Sequence, residues 1–248
     1  MTSSASAGAA AAAGFSPDNP TLAGRIAGMV FRPVATLEAT QRDAHWRGVL
    51  VATTAVAVVV GVLVMQTAVG QQALVDQWER TTAALGHEVD DAGYAQLEEL
   101  SRYGALYSAA CTLVAGPILA LGVTALLQAG FGRKRAVPFV VAFAAVVHAG
   151  VVLALRQVVV ALLAYARETT ASAVSLGAWY PGLDAASPLA RALGFVDLFV
   201  VWWIVLLGVA AALLYGKRRR NLVFGLLGMY LVLALVTAAA FAAAGSGV

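Results

Sequence analysis

Five long apolar runs dominate the pattern of hydrophobic and polar positions along the chain. Each run has at least about 20 residues, the length that an α-helix needs to cross the hydrocarbon core of a bilayer. The runs cover residues 48–70, 103–131, 138–165, 195–215 and 222–244. Backbone polar groups must be satisfied inside lipid, and the runs lack the alternation of a β-barrel. The pattern therefore predicts an all-α fold, a polytopic membrane helix bundle with five transmembrane helices.

The composition supports the same fold class. Of the 248 residues, 61% are hydrophobic and only 12% are charged, whereas soluble domains are roughly half apolar and a quarter charged. The single cysteine, Cys111, lies in an apolar run, so neither a disulfide framework nor a metal-ligand spacing is predicted. Residues 1–20 have low complexity and lack the basic start and apolar stretch of a secretory signal peptide. They are predicted to form a disordered N-terminal tail.

The remaining chain is predicted to contain a short segment before the membrane and a five-helix domain. Residues 21–47 are the cytoplasmic or interfacial segment, and residues 48–248 are the transmembrane domain with outer segments 71–102 and 166–194. The first outer segment carries seven acids and two bases, and two short helices are predicted in it. Either Asp90 or Asp91 is expected to cap the second of these helices.

The basic residues near the ends of the runs predict the orientation. Most of the 16 lysines and arginines lie before the first run or between runs two and three and runs four and five. By the positive-inside rule the N-terminus is cytoplasmic and the C-terminus extracytoplasmic, in the cell (inner or plasma) membrane. Because the positive charge is clustered beside apolar runs, topology explains it better than a nucleic-acid partner does.

Two basic loops allow two interpretations. Each Lys or Arg near an anionic leaflet contributes about 1 kcal/mol of attraction, so the loops could bind membrane lipids. Alternatively, they only set the topology. The loops comprise Arg133, Lys134 and Arg135, and Lys217, Arg218, Arg219 and Arg220.

One arginine and one aspartate lie inside the apolar runs. Arg156 is the only basic residue well inside a run, where a charge costs about 2.5–3.5 kcal/mol. We predict that it pairs with Asp197 between the third and fourth helices, with Gln157 as a helper. The alternative is that Arg156 reaches the outer headgroups and Asp197 is hydrated there.

The start of the fourth helix decides how Asp197 is explained. A start at Gly194 would place this carboxylate near the positive end of the helix dipole. However, Ser187 and Pro188 fit an N-cap followed by a first-turn proline. That start would put Asp197 more than two turns inside the helix and would weaken the dipole explanation.

Other polar and small residues inside the runs have mainly structural interpretations. His148 could belong to a proton relay with Arg156, but the lack of a neighbouring acid favours a neutral histidine hydrogen-bonded between helices. Pro117 predicts a helix kink, which is either structural or part of a gate. Small residues that recur every four positions in the second run predict a packing seam: Ser108, Thr112, Gly116, Ala120 and Thr124.

Catalytic motifs are missing from the sequence. It contains no H-E-x-x-H, no G-x-S-x-G and no P-loop, and the "EELSR" at 98–102 fits a solvated helix face. We therefore predict that the chain is not an enzyme, with no catalytic, cofactor-binding or metal-binding residues.

The order of several motifs from about Ala23 onward resembles the bacterial branch of the Yip family, the Ypt/Rab-interacting membrane proteins. These motifs are "MVFRPVATLEATQRDAHWRGVLV" before the first run, "EELSRYGAL", "GPILALG" in the second run and "LGFVDLFVVWWIVLLGVAA" in the fourth. The positions that match the family pattern are Phe31, Pro33, Trp46, Asp197, Phe199 and Trp202. The chain departs from the pattern in its third run, which has "AAVVHAGVVLALR" in place of a Trp-x-Pro-like element, and it lacks Asp-Leu-Tyr-Gly-Pro.

The resemblance implies five spans and a role in membrane organisation. Eukaryotic members bind Rab-type GTPases and shape or sort membranes, while bacterial members have no agreed activity. We therefore expect a non-enzymatic scaffold that acts through lipids, other membrane proteins or self-association. The second hypothesis is a small transporter or permease subunit that uses Arg156, Asp197 and His148. The few buried polar residues and the lack of an evident inverted repeat argue against it.

Overall fold

The computed structural model describes residues 21–84, 90–132, 136–167, 174–179, 193–194 and 196–245. These residues are almost entirely α-helical, apart from turns, a 3₁₀ helix at Leu176–Trp179 and one isolated β-bridge. The helices are α1 Leu22–Phe31, α2 Pro33–Arg42, α3 Arg47–Met65, α4 Ala68–Ala84, α5 Asp91–Ser101, α6 Gly104–Phe131, α7 Phe139–Ala149, α8 Val151–Arg167, α9 Leu198–Tyr215 and α10 Arg219–Gly245. The predicted tail at 1–20 lies outside the described residues.

Five helical stretches are long and apolar enough to cross a membrane, as the apolar runs predicted. They are Arg47–Met65, Gly104–Phe131, Phe139–Ala166, Leu198–Tyr215 and Arg219–Thr237. About half of the third and fourth stretches is buried within the protein, but only 6% of the first and 11% of the fifth is. The first and fifth helices therefore present mainly apolar side chains to their surroundings, which is typical of helices solvated by lipid. The fold class is confirmed.

The first membrane helix ends earlier than the predicted residue 70. A turn at Gln66 and Thr67 separates α3 from α4. The Thr67 hydroxyl donates to the Val64 carbonyl at 2.6 Å and accepts from the backbone N–H of Gly70 at 3.1 Å. Thr67 therefore closes one helix and caps the next. The remaining 19 residues still reach about 28 Å at about 1.5 Å per residue.

The third membrane helix is interrupted at Gly150, between α7 and α8. The backbone N–H of Gly150 bonds to the carbonyls of Val146 and Val147, at 3.0 and 3.1 Å. The bond to Val147, only three residues earlier, tightens the last turn of α7, and α8 then continues from Val151. The third run lacks the Trp-x-Pro-like element of the family pattern, and the irregularity at Gly150 forms without a proline.

The helix that crosses the membrane at Leu198–Tyr215 begins directly after Asp197, so the interpretation that places Asp197 more than two turns inside it is wrong. Ser187 and Pro188 lie outside the described residues, but Val196 and Asp197 are not helical. A helix that runs through Asp197 with more than two turns behind it is therefore not formed. The physical reason is that the Asp197 side chain bonds the backbone of the first helical turn, as described below.

The chain divides into two compact units. The first comprises Met1–Ala55, Ala115–Leu155 and Val201–Leu227. In this unit α1 and α2 pack against each other and against α7, burying Met29 and Leu37. Thr21 caps α1 by accepting from Gly24, and Pro33 occupies the first turn of α2. The segment before the membrane therefore consists of two helices that are packed on the bundle.

The second unit comprises Val56–Val114, Arg156–Val200 and Gly228–Val248. In it α4 and α5 pack together, and Leu74 and Val75 are buried. The carboxylate of Asp90 accepts from the backbone N–H of Gly93 at 2.8 Å, so Asp90 rather than Asp91 caps α5. The two short helices predicted in the acidic segment are present.

The predicted small-residue seam on α6 is formed in part. In the second unit, a Cβ placed on Gly61 would lie 2.6 Å from the Ser108 hydroxyl, so α3 and α6 approach closely there. Thr124 is fully buried, whereas Thr112 is half-buried and Gly116 is exposed. α6 continues through Pro117, which provides no backbone N–H for the ladder. A kink at this proline stays a prediction.

Candidate functional site

The Asp197 carboxylate is the N-cap of α9. One of its oxygens, Oδ1, accepts from the backbone N–H of Phe199 at 2.8 Å and of Val200 at 3.2 Å. A helix leaves its first N–H groups without intrahelical partners, and an aspartate at this position satisfies two of them. The same place puts the negative charge at the positive end of the helix dipole. The dipole explanation therefore applies to Asp197.

The other carboxylate oxygen binds Arg156. The Nε of Arg156 donates to Oδ2 of Asp197 at 2.6 Å, and the two side chains are 28% and 10% exposed. The predicted ion pair is thus present, and it connects α8 to α9. Because both partners are charged and largely buried, this is a short hydrogen bond of the strong, charge-assisted kind.

Two further segments meet at Asp197. Its backbone N–H donates to the hydroxyl of Tyr230 on α10 at 3.2 Å. The chain at Ser175 forms an antiparallel bridge with Asp197, in which the N–H groups of Leu176 and Leu198 bond to carbonyls on the opposite segment. The Asp197 junction, defined as Arg156, Ser175, Asp197 and Tyr230, therefore connects three helices and an extended segment of the second unit.

The geometry of the junction is suited to holding helices together. The bonds named above engage both carboxylate oxygens and the backbone N–H of Asp197, and Asp197 itself is 7% exposed. A nucleophile or general base needs a reacting atom within reach of a substrate, whereas this carboxylate is enclosed by its own donors. Within the described residues, no group of three His, Cys, Asp or Glu side chains could hold a metal ion.

His148 has no exposed surface and bonds within its own helix. Its Nδ1 lies 2.8 Å from the Ala144 carbonyl, one turn earlier in α7. The predicted bond between helices is therefore wrong for this nitrogen, because the carbonyl of the preceding turn is the nearer acceptor. The Nε2 atom has no hydrogen-bond partner among the described residues. A role in a proton relay stays a prediction.

Sequence reasoning missed a second charged cluster, at the start of the first unit. Arg25 on α1 donates through Nη2 to the Asp43 carboxylate at 2.7 Å, and Asp43 also bonds to His45. The hydrogen bond from Arg25, assisted by His45, lowers the pKa of the Asp43 carboxyl from its usual 3.8. The sequence contains one feature that could have indicated this cluster. Arg25 lies four residues before Met29, on the same buried face of α1, and a charge on a buried face needs a partner.

The Arg25–Asp43 bond fixes the chain that enters the membrane. Directly after it, the ring of Trp46 contacts the edge of Phe143 on α7, with centroids 5.0 Å apart. The Arg47 guanidinium lies over the Trp46 ring at 5.7 Å. The Trp46–Phe143 contact thus positions the start of α3 against α7, and the Arg25–Asp43 bond connects the chain just before it to α1.

The structure describes one of the two basic loops. Arg133, Lys134 and Arg135 lie outside the described residues. Lys217, Arg218, Arg219 and Arg220 are exposed, and they connect α9 to α10 in the first unit.

An open groove of about 790 Å³ lies on the surface of the second unit. None of the Asp197 junction residues lines it. The walls are mainly apolar and include Val60, Leu63, Val64, Val158, Leu162 and Tyr165.

The five apolar helices and the buried ion pair define a class, the multi-pass all-α membrane proteins in which charged side chains connect helices. No family model matches the chain, and no curated protein or solved structure matches it. The resemblance to the Yip family therefore stays a prediction that depends on the sequence motifs.

Proposed function

We propose that this chain is a Yip-like integral membrane protein that works as a non-enzymatic scaffold. It organises the membrane through contacts with lipids, with other membrane proteins or with a second copy of itself. The observation that carries the proposal is the Asp197 junction. There the in-membrane charges predicted from the sequence are bonded to each other and to backbone groups, so their role is to connect helices.

The outer faces of the membrane helices support the contact role. Large apolar side chains are exposed along α3, α6 and α10, among them Leu63 at 62%, Leu126 at 72% and Phe224 at 67%. A contiguous apolar surface is expected wherever a helix faces lipid, and it is also the surface through which membrane helices associate. A scaffold of this type needs no assembled active site.

The motif residues behind the family resemblance have physical roles in this structure. Trp46 contacts Phe143 and positions the start of α3, and Asp197 caps α9. Pro33 begins α2, where a proline has no hydrogen bond to lose. These roles support the Yip-like assignment, because they give a structural reason for the motif residues. The bacterial inner membrane is part of the proposal only as the resemblance to the bacterial branch implies it.

The proposed orientation has the N-terminus in the cytoplasm and the C-terminus outside. Its support is the positive-inside rule applied to residues 21–47 and to the two basic loops. Reporters fused in turn to Met1 and Val248 test it. We expect the two fusions to report opposite sides of the membrane, and cytosolic activity of the Val248 fusion would contradict the arrangement.

The alternative is a small transporter or permease subunit, and one observation favours it. The Nε2 atom of His148 is buried and without a partner among the described residues, as expected for a group that binds a transient proton or solute. Pro117 inside α6 offers a second element that a gate could use.

A flux assay on the full chain separates the two functions. The purified protein is reconstituted in vesicles with an entrapped pH-sensitive dye, and proton flux is compared with that of protein-free vesicles. The scaffold predicts leak-level flux for the wild type, Arg156→Gln and Asp197→Asn. Flux above the leak that falls in the variants while their circular dichroism spectra stay helical would establish the transporter. His148→Gln tests the relay in the same way.

A further inference from the structure

Four consecutive cations lie in the link between α9 and α10 and in the first turn of α10. Gly216 adopts a left-handed conformation with φ of 64°, and the N–H of Lys217 donates back to the Ala212 carbonyl at 3.2 Å. This is a common way for a helix to end, and it favours glycine. α10 then begins at Arg219, with the Arg218 carbonyl accepting from the N–H of Asn221 at 3.1 Å. We call Lys217, Arg218, Arg219 and Arg220 the basic turn.

The described residues of the first unit do not neutralise the positive charge of the basic turn. The described residues of the first unit contain eight lysines and arginines but only two carboxylates, Glu38 and Asp43. Asp43 is already bonded to Arg25, and none of the ion pairs formed among described residues includes the basic turn. This part of the surface is therefore complementary to an anion.

The placement of the cations is unfavourable for α10 itself. Arg219 and Arg220 lie in its first turn and Arg218 directly precedes it, while that turn contains no acidic residue. Cations near a helix N-terminus are repelled by the dipole, and an anion there is attracted. The positive-inside rule explains why cations lie on this side of the membrane, but it does not require them to lie in the first turn of a helix.

An apolar surface begins one turn below the basic turn. Phe224 follows Arg220 by four residues, so both lie on the same face of α10, and Phe224 is 67% exposed. Nothing lies within 4 Å of a Cβ placed on the neighbouring Gly225, so the helix surface is open at that position too. A cationic end followed by an open apolar face matches a molecule with an anionic head and an apolar chain. A free anion would match only the first of these features.

We propose that the basic turn binds the phosphate headgroup of an anionic phospholipid, whose acyl chain lies along α10 at Phe224 and Gly225. This inference rests on the proposed function and names the lipid through which the scaffold contacts its membrane. One guanidinium group can donate two parallel hydrogen bonds to two phosphate oxygens, and the lysine ammonium contributes a point charge.

Native mass spectrometry of the full chain in mild detergent tests the proposal. The first bound lipid is titrated in parallel with dioleoyl phosphatidylglycerol and dioleoyl phosphatidylcholine. We expect phosphatidylglycerol to bind about tenfold more tightly, and we expect this ratio to fall toward one when all four cations are changed to glutamine. The preference should also weaken at high salt, because added ions screen exposed charges.

Three controls keep the result interpretable. Changing the three arginines of the basic turn to lysine retains the charge and should retain most of the preference even if the glutamine variant misfolds. Arg42→Gln combined with Arg47→Gln removes two exposed cations of the same unit and should leave the preference unchanged. Phe224→Ala should weaken binding of both lipids while leaving the headgroup ratio intact.

Several outcomes would overturn the inference. They are equal affinity for both lipids in the wild type, a preference retained by the folded glutamine variant, or displacement of the lipid by millimolar inorganic phosphate at constant ionic strength. The last result would indicate a site for a soluble phosphate. No lipid preference together with leak-level proton flux would contradict the lipid site but not the scaffold function. Mutation-sensitive flux together with an intact lipid preference would contradict the scaffold function but not the lipid site.

Discussion

Asp197 has two separable roles, and a set of substitutions distinguishes them. Asparagine is as good an N-cap as aspartate, so Asp197→Asn should retain the bonds to Phe199 and Val200 while removing the charge that faces Arg156. Asp197→Ala removes both roles. Arg156→Met removes the cation and retains a side chain of similar length.

The expected magnitudes follow from burial. Arg156 is 28% exposed, so Asp197→Asn leaves a mostly buried guanidinium without its carboxylate. A charge inside the bilayer costs about 2.5–3.5 kcal/mol, and breaking a buried pair costs about 3–5 kcal/mol. We therefore expect a loss of about 3 kcal/mol in the free energy of unfolding for Asp197→Asn. Asp197→Ala should lose about 1 kcal/mol more, because the cap is lost too.

The double variant Arg156→Met/Asp197→Asn is the decisive measurement. Replacing both members of a buried pair by neutral groups is often close to neutral, because no charge is left uncompensated. Its loss of stability should therefore be about 2–3 kcal/mol smaller than the sum of the two single losses, the coupling expected of residues in contact.

Reversible unfolding of the full chain in mixed detergent micelles, followed by circular dichroism, gives these free energies. Arg102→Met is the matched control, because Arg102 is exposed and lies outside the membrane helices; it should change stability by less than about 0.5 kcal/mol. The reasoning fails if Asp197→Asn is as stable as the wild type, or if the two single losses simply add in the double variant.

Two further predictions concern the first unit. In Gly208→Ala the new Cβ would lie 2.9 Å from the Cα of Val223, so we expect the free energy of unfolding to fall by about 1–3 kcal/mol. The control Gly225→Ala has open space around the new Cβ and should not destabilise the protein. Equal melting temperatures of the two variants would refute the close approach of α9 and α10 at Gly208. Because Arg25 lowers the pKa of the Asp43 carboxyl below 3.8, the stabilisation by this pair is present above the unfolded-state pKa and disappears as the pH falls through the folded-state pKa. Asp43→Asn should therefore be slightly less stable than the wild type at pH 7, by no more than about 1 kcal/mol for a side chain that is 44% exposed. The difference should shrink as the pH falls below 3.8 and disappear below the folded-state pKa; a difference that stays constant would contradict the assignment.

The five membrane helices could be predicted because lipid imposes one requirement on every residue of a span. A run of about 20 apolar residues in a bilayer has to be a helix, whatever its neighbours are. The pairing of Arg156 with Asp197 followed from a similar requirement, since a charge inside the bilayer needs a partner. Both inferences depend on the solvent and need no knowledge of the tertiary structure.

Helix ends could not be predicted on the same basis. Residues on both sides of Asp197 are apolar, so hydropathy alone does not tell whether the helix begins before or after this aspartate. The start of the helix is decided by which acceptor the N–H groups of the first turn find. The bridge between Ser175 and Asp197 also helps to fix the start of the helix, and it joins segments about 20 residues apart in the sequence. At Gly150 the ladder changes its bonding without any change in polarity. Local hydrogen bonding, by a side chain at Asp197 and by the backbone at Gly150, decides these positions, and composition does not record it.

The pairing across 41 residues between Arg156 and Asp197 has a consequence for biosynthesis. Ribosomes add about 5–20 residues per second, so the guanidinium is made roughly 2–8 s before its carboxylate. Tyr230 emerges later still, 33 residues after Asp197. During this interval α8 carries a cation into the insertion machinery with no acid from α9 to meet it. The ion pair that connects α8 to α9 can therefore form only after the fourth helix has been made.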